Sequence, residues 1–183
     1  MILFIRSLLV ASLTITIASI SYAQSTVPRF SDYPVSEAYI GQNAPIVLKR
    51  DDMMYRTRLR EAAKEKPNFA GHYILAAWGC GAQCLMGAVI DAKTGKVFWL
   101  PHTTCCWGSD VDERFEPMEF RLNSSLVVFS GLRNEKENDD GAHFYKFENG
   151  RFVHLKSVLR KTKTELKGPI EHASNKALQL TAR

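Results

Sequence analysis

The N-terminal segment of this 183-residue chain constrains its fold most, because it indicates the compartment in which the chain folds. Arg6 precedes an apolar run from Leu8 to Ile20, and Ser21-Tyr22-Ala23 follows before Gln24. A positive start, a short apolar run and a small-x-Ala site are typical of a secretory signal peptide. The run is too short to favour a stable membrane span. We therefore expect residues 1–23 to be removed and the mature chain, without a membrane span, to be periplasmic or secreted.

An oxidising compartment favours disulfides over free thiols. The chain has four cysteines, which allow three pairings: Cys80, Cys84, Cys105 and Cys106. Glycines flank Cys80 on both sides, so the chain there can turn sharply and bring the two sulfurs of a C-x3-C pair together. We favour a Cys80–Cys84 bond, which leaves the adjacent Cys105 and Cys106 bonded or free. Cross-pairing between the two segments remains the alternative.

Charge is distributed unevenly along the chain. Residues 24–155 contain 16 Lys and Arg against 17 Asp and Glu, whereas residues 156–183 contain seven against two. The basic pI of about 9.1 thus belongs to the tail. A neutral domain lacks the clustered basic face that phosphate binding requires, so we do not expect a nucleic-acid partner.

The periodicity of apolar residues predicts an α+β domain over residues 24–161. Asp51 or Asp52 is a suitable N-cap, helical spacing runs from Tyr55 to Ala63, and Pro67 ends the element. This predicts one amphipathic helix of about three turns, packed on an antiparallel sheet. About seven short strands follow, and Asn149-Gly150 between two of them is a strong hairpin motif. The predicted strands span residues 72–78, 85–91, 96–100, 115–122, 126–130, 143–147 and 151–155.

The tail, residues 162–183, has little apolar periodicity, and we expect it to be disordered. Its last residues, from Asn175 to Arg183, resemble the product of an open reading frame that runs into the recombination site of an integron gene cassette. That resemblance implies that the tail reflects a constraint on the DNA.

One segment carries a specific motif. Residues 68–73 read N-F-A-G-H-Y, W-G-C-G begins at Trp78, and D-A-K-T-G-K-V begins at Asp91. This pattern resembles that of a family of uncharacterised secreted proteobacterial proteins, over roughly residues 28–155. The resemblance implies a small exported domain and does not imply an activity.

We interpret the chain as a non-enzymatic binding module whose partner is a protein or another component of the cell envelope. Strand alternation places His72 and Trp78 on one sheet face near the cysteine turn. Tryptophans beside glycine-rich turns often anchor recognition. The candidate binding surface is formed by His72, Trp78, His102 and Trp107.

The alternative is a thiol- or zinc-dependent periplasmic enzyme that uses His72 or His102 with the cysteines. The pattern C-x3-C…H-x2-C-C offers enough soft ligands for tetrahedral zinc, but its spacing is irregular. No G-x-S-x-G, P-loop or H-E-x-x-H motif occurs. We therefore assign no catalytic residue, and we expect no metal and no cofactor.

Two further groups of polar residues are expected to face solvent. Residues 135–140 form an acidic loop that does not fit a calcium-binding loop at its first or twelfth position. His143 and His154 are expected at the surface or at a strand edge.

Overall fold

The structure, a computed structural model, describes residues 26–36, 38–107, 112 and 114–160. Two 3-10 helices span Phe30–Asp32 and Arg50–Tyr55, and the second continues directly into the helix α1, Arg56–Ala62. The strands are β1 Tyr73–Gly81, β2 Cys84–Asp91, β3 Val97–Trp99, β4 Thr104–Cys105, β5 Met118–Phe120, β6 Leu126–Arg133, β7 Gly141–Glu148 and β8 Arg151–Leu159. The described chain is thus mostly antiparallel sheet with one short α-helix. The α+β prediction is therefore confirmed in outline.

The very short strand β4 joins two halves of the sheet. The hydrogen-bonded order is β1-β2-β4-β6-β7-β8, while β3 also pairs with β2 and β5 with β6. Thr104 and Cys105 pair with β2 on one side and with β6 on the other. All strand pairs in the described residues are antiparallel. The sequence did not predict β4, because two residues cannot display an alternating pattern.

The two faces of β1 belong to different cores, as the predicted alternation requires. Ile74 and Trp78 pack with Leu59 of α1, whereas Leu75 packs with residues from both halves of the sheet. The two halves of the sheet therefore fold over the cluster that contains Leu75. That central core comprises Phe69, Ala70, Leu75, Val89, Met118, Val127, Phe129, Tyr145 and Phe147.

The helical segment differs from its prediction in how it begins. Lys49 is the N-cap residue, and Asp52 occupies the third helical position. The Asp52 carboxylate accepts the backbone N–H of Lys49 at 2.6 Å and the indole N–H of Trp99 at 2.9 Å. Asp52 is therefore buried, and it ties the start of the helix to β3 instead of capping from outside.

The hairpin at Asn149-Gly150 is confirmed. Both residues have positive φ, 50° and 75°, as a two-residue type I′ turn requires. The register pairs Glu148 with Arg151 across the turn. The predicted signal peptide, the cleavage site at Gln24 and the predicted disordered tail lie outside the described residues.

Candidate functional site

The β1–β2 hairpin carries the first disulfide. The strand register shifts between Gly79 and Gly81, so Cys80 lies in a β-bulge, where the chain bends away from regular pairing. Gln83, in the two-residue turn, has a φ of 46°. Cys80 and Cys84 are bonded, with their Cα atoms 5.1 Å apart. This is the local pairing that the sequence favoured over cross-pairing.

The second disulfide joins two consecutive residues. Cys105 ends β4, and its partner Cys106 has a φ of 61°, a left-handed conformation that residues other than glycine seldom adopt. The Cα atoms are 3.8 Å apart, the spacing of neighbours along the chain. All four cysteines are thus in disulfides.

The two disulfides are neighbours in the sheet. Cys84 lies directly opposite Cys105 in the β2–β4 ladder. The adjacent residues carry the hydrogen bond, since the Cys106 N–H donates to the Gln83 carbonyl at 2.9 Å. Cys84 and Cys105 are therefore a non-hydrogen-bonded pair, the arrangement in which facing side chains approach most closely. Their side chains lie on the same face of the sheet.

Each disulfide has one accessible and one shielded residue. Cys80 and Cys106 are exposed, Cys84 is half-buried, and Cys105 is buried at 1% exposure. The backbone of Gly131 in β6 lies close to that of Cys105, because a Cβ added to this glycine would be 2.4 Å from the Cys105 carbonyl oxygen. The shielded residues are thus the two that face each other.

The structure does not support Trp78 as a surface anchor. Trp78 is only 9% exposed and packs against Tyr55 and Trp99, with ring centroids 5.7 and 5.9 Å away. Its indole nitrogen is buried without a hydrogen-bond partner among the described residues. The helix covers this face of β1, and the sequence alone could not show which face would be covered.

His102 lies on the opposite side of the sheet from Trp78. Its ring contacts Phe129 and Tyr145 of the central core, at centroid distances of 4.8 and 5.3 Å. Burial lowers the pKa of His102 to about 4. Since Trp78 belongs to the other core, the predicted four-residue surface does not form one face.

His72 and Trp107, the other two residues of that surface, lie near opposite ends of β2. His72 lies beside Asp91, 3.7 Å from its carboxylate, and burial lowers the pKa of the His72 imidazole although Asp91 opposes this shift. Asp91 pairs with the first residue of β1, whereas Cys80 is near the last. Eight residues of extended chain put His72 about 26 Å from Cys80. Trp107 is half-buried against Phe115.

The geometry bears on one part of the enzymatic alternative, the pairing of His72 with the cysteines. His72 cannot contact the cysteines over such a distance, so it is not the base of a thiol site. The described residues contain no group of three or more His, Cys, Asp or Glu side chains placed to hold a metal ion. Cysteines in disulfides also lack the thiolate that zinc requires.

A buried polar network beside the central core was not predicted. Arg133 of β6 forms two hydrogen bonds with the Asp139 carboxylate, at 2.7 and 2.8 Å, and donates a third to the Tyr145 hydroxyl. These hydrogen bonds hold the pKa of Asp139 below its usual range. The acidic loop is therefore not wholly solvated. The partners come from separate strands and loops, so no local pattern groups them.

His143 is fully buried on β7, which lies between β6 and β8, contrary to the expectation of a surface or strand-edge position. Its Nε2 lies 3.0 and 2.9 Å from the carbonyl oxygens of Gly131 and Asp139, so Nε2 must carry the proton. Burial lowers the pKa of His143, which keeps the ring neutral and makes Nδ1 an acceptor. The Ser157 hydroxyl donates to Nδ1 at 2.8 Å, and His154 Nε2 donates to Ser157 at 2.9 Å. His154 itself is exposed, as predicted.

The outer side of the helical segment is basic and partly apolar, although the neutral charge of the domain predicted no clustered basic face. Met53 and Met54 are 45% and 82% exposed, and the cations around them are also exposed. No carboxylate among the described residues forms an ion pair with any of these cations. We call this surface the basic face; it comprises Lys49, Arg50, Met53, Met54, Arg56 and Arg60.

Comparison with models of protein families, with curated proteins and with solved structures gives no match. Within the described residues, no helix is both long and apolar enough to span a membrane.

Proposed function

We propose that this chain is an exported module that binds an anionic lipid surface of the cell envelope through the basic face. The observation that carries the proposal is the pair of exposed methionines, Met53 and Met54, among four cations that form no ion pair with a carboxylate of the described residues. The surface around Trp78 that the sequence predicted is not the binding surface proposed here. An exported location rests on the N-terminal pattern and is supported by the two disulfides.

The spacing of the basic face supports a common docking direction. Met53, Arg56 and Arg60 are separated by three and four residues, and side chains at these spacings share one side of a helix. Arg56 also donates a hydrogen bond to the Met53 carbonyl, which holds the two residues together. Leu59 and Ala62 pack into the core with residues of β1, which fixes the helical segment on the sheet.

The chemistry of these side chains suits a phospholipid headgroup layer. Arginine forms paired hydrogen bonds with phosphate oxygens, and methionine adapts its shape to irregular apolar surroundings. Each Lys or Arg near an anionic membrane contributes about 1 kcal/mol. Binding through this face should therefore be weak, reversible and sensitive to salt.

Sedimentation with lipid vesicles tests the proposal. The purified mature protein should sediment with vesicles that contain phosphatidylglycerol, and should not sediment with vesicles of phosphatidylcholine alone. The double variant Arg56→Gln/Arg60→Gln should bind at least about tenfold more weakly, since it loses two such charges. High salt should have the same effect.

The matched control is Lys136→Gln/Arg151→Gln, which removes two exposed cations outside the basic face. This variant should bind like the wild type. Equal loss in both double variants would mean that net charge alone drives binding, and equal binding to neutral vesicles would contradict the proposal. Binding to an acidic protein but to neither kind of vesicle would also overturn it.

A further inference from the structure

We propose that the four cysteines form a thiol–disulfide exchange centre that accepts electrons from a protein dithiol. In this centre the Cys80–Cys84 disulfide reacts first, and a transient Cys84–Cys105 bond passes the electrons to the Cys105–Cys106 disulfide. The inference is independent of the proposed lipid binding, because it involves none of the residues of the basic face.

The strand register makes the transfer geometrically direct. Cys84 and Cys105 form a non-hydrogen-bonded pair, and Cβ atoms in such pairs are about 4.5–5.5 Å apart. Cα atoms of these pairs are separated by about 4.5 Å, which falls within the range that a disulfide can bridge. A bond between these two residues therefore needs side-chain rotation and an approach of the two Cβ atoms by about 1 Å.

The four cysteines differ in their exposure to solvent, which decides which of them an external thiol can reach. Cys80, in the bulge near the tip of the hairpin, and Cys106 are both exposed, so a thiolate from another protein can reach either disulfide; attack at Cys80 releases the Cys84 thiolate, which lies opposite Cys105. Cys84 and Cys105 are shielded, so an external thiol reaches them less readily than they reach each other. Thiol–disulfide exchange depends on such access as well as on thiolate character.

The first exchange oxidises the partner. A thiolate of the partner dithiol attacks Cys80 Sγ, breaks the Cys80–Cys84 bond and releases the Cys84 thiolate. The partner's second thiolate then attacks the partner's first sulfur, which is bonded to Cys80 in the mixed disulfide, and releases the Cys80 thiolate. The partner has lost two electrons and formed a disulfide, and the Cys80–Cys84 pair has been reduced.

The second exchange moves these electrons to the Cys105–Cys106 disulfide. The Cys84 thiolate attacks Cys105 Sγ, forms the Cys84–Cys105 bond and releases the Cys106 thiolate. The Cys80 thiolate then attacks Cys84 Sγ, restores the Cys80–Cys84 bond and releases the Cys105 thiolate. Cys105 and Cys106 finally take up, through solvent, the two protons that the partner dithiol lost.

Peptide mapping of the wild-type protein tests the transfer. The oxidised protein is mixed with one molar equivalent of dithiothreitol as the probe, and samples are quenched with acid and alkylated over time. Exchange predicts a population in which Cys80 and Cys106 are alkylated while Cys84 and Cys105 are linked. If alkylation occurs only in the pairs Cys80 with Cys84 and Cys105 with Cys106, the two disulfides are independent and the proposal is wrong.

A trapping variant provides a second measurement. Cys80→Ser/Cys106→Ser retains only the two facing cysteines, and it should form the Cys84–Cys105 bond in air, leaving no free thiol. The matched control Cys80→Ser/Cys105→Ser retains Cys84 and Cys106, which do not face each other in the ladder, and it should keep two free thiols. Two free thiols in the folded trapping variant, or equal oxidation of both variants, would overturn the proposal. Vesicle binding should be unchanged in both, so failure here is distinguishable from failure of lipid binding.

Discussion

Replacing Asp52 with alanine tests how the helical segment is attached to the sheet. Asp52 is 3% exposed, and its carboxylate is the common acceptor for the Lys49 backbone N–H and the Trp99 indole N–H. The substitution therefore removes a helix-start hydrogen bond and separates the helix from β3 in one step. We expect Asp52→Ala to be strongly destabilising.

The magnitude follows from the two lost hydrogen bonds. Loss of a capping interaction costs about 1 kcal/mol. A buried donor left without an acceptor costs about 1–3 kcal/mol, and Trp99 is half-buried, so a value near 2 kcal/mol is appropriate. The sum, about 3 kcal/mol, corresponds to a decrease of about 6–12 °C in Tm for a chain of this length.

Urea unfolding followed by far-ultraviolet circular dichroism measures this change without relying on Trp99 fluorescence. Asp52→Asn is the matched control, because one side-chain oxygen remains and can accept one of the two hydrogen bonds; it should lose less than Asp52→Ala. In Asp52→Ala/Trp99→Phe the orphaned indole donor is absent, so the two losses should be less than additive. A loss below about 0.5 kcal/mol for Asp52→Ala would refute this account of the attachment.

Two further perturbations act near the cysteines and the central core. Gly131→Ala should destabilise the protein by about 1–3 kcal/mol in urea unfolding, because φ is 136° and the added Cβ would lie 2.4 Å from the Cys105 carbonyl oxygen; an unchanged midpoint would contradict the close approach. Burial lowers the pKa of His102 to about 4, whereas an unfolded histidine titrates near 6.5, so the unfolded chain binds more protons between these values and stability falls as the pH drops through this window. Comparing urea midpoints at about pH 7 and about pH 4.5 should show a smaller difference for His102→Gln than for the wild type, and an equal difference would contradict a neutral buried His102.

Local patterns predicted most of the strands but not their assembly. Alternation in β1 assigned Ile74 and Trp78 to one face, and the Asn149-Gly150 turn fixed a hairpin register, because both depend on neighbouring residues. The two-residue strand β4 depends on partners 21 and 27 residues away, counted from the register of Cys105 with Cys84 and Leu132. No periodicity predicts such a strand.

The same limit applies to the candidate site. The local Cys80–Cys84 pairing was predictable from its flanking glycines, whereas the position of Cys84 opposite Cys105 required β4. Trp78 was assigned to a surface because a strand pattern does not say which face a helix will cover. The buried network of Arg133 and Asp139 was missed, since a charged side chain resembles a solvent-facing residue until its partner is known.

The choice of disulfide partners can itself be tested through stability. In the chain-entropy model, Cys80–Cys84 closes a loop of about five residues and contributes about 2 kcal/mol, and Cys105–Cys106 contributes about 1 kcal/mol. A Cys84–Cys105 bond would close about 22 residues and contribute about 3.4 kcal/mol. The two observed bonds together thus contribute about 3 kcal/mol, close to the single Cys84–Cys105 bond that the register would also allow.

Because the two local disulfides together contribute only about 3 kcal/mol, we expect the fold to persist when both are reduced, as an exchange centre requires. We expect full reduction to lower the free energy of unfolding by about 3 kcal/mol and to leave the β2–β4 pairing intact. Urea unfolding of oxidised and reduced protein measures the loss, and amide hydrogen exchange at Cys106, whose N–H is bonded to Gln83, reports on the ladder. Complete unfolding on reduction, or loss of protection at Cys106, would show that the disulfides hold the fold together and that they cannot cycle within it.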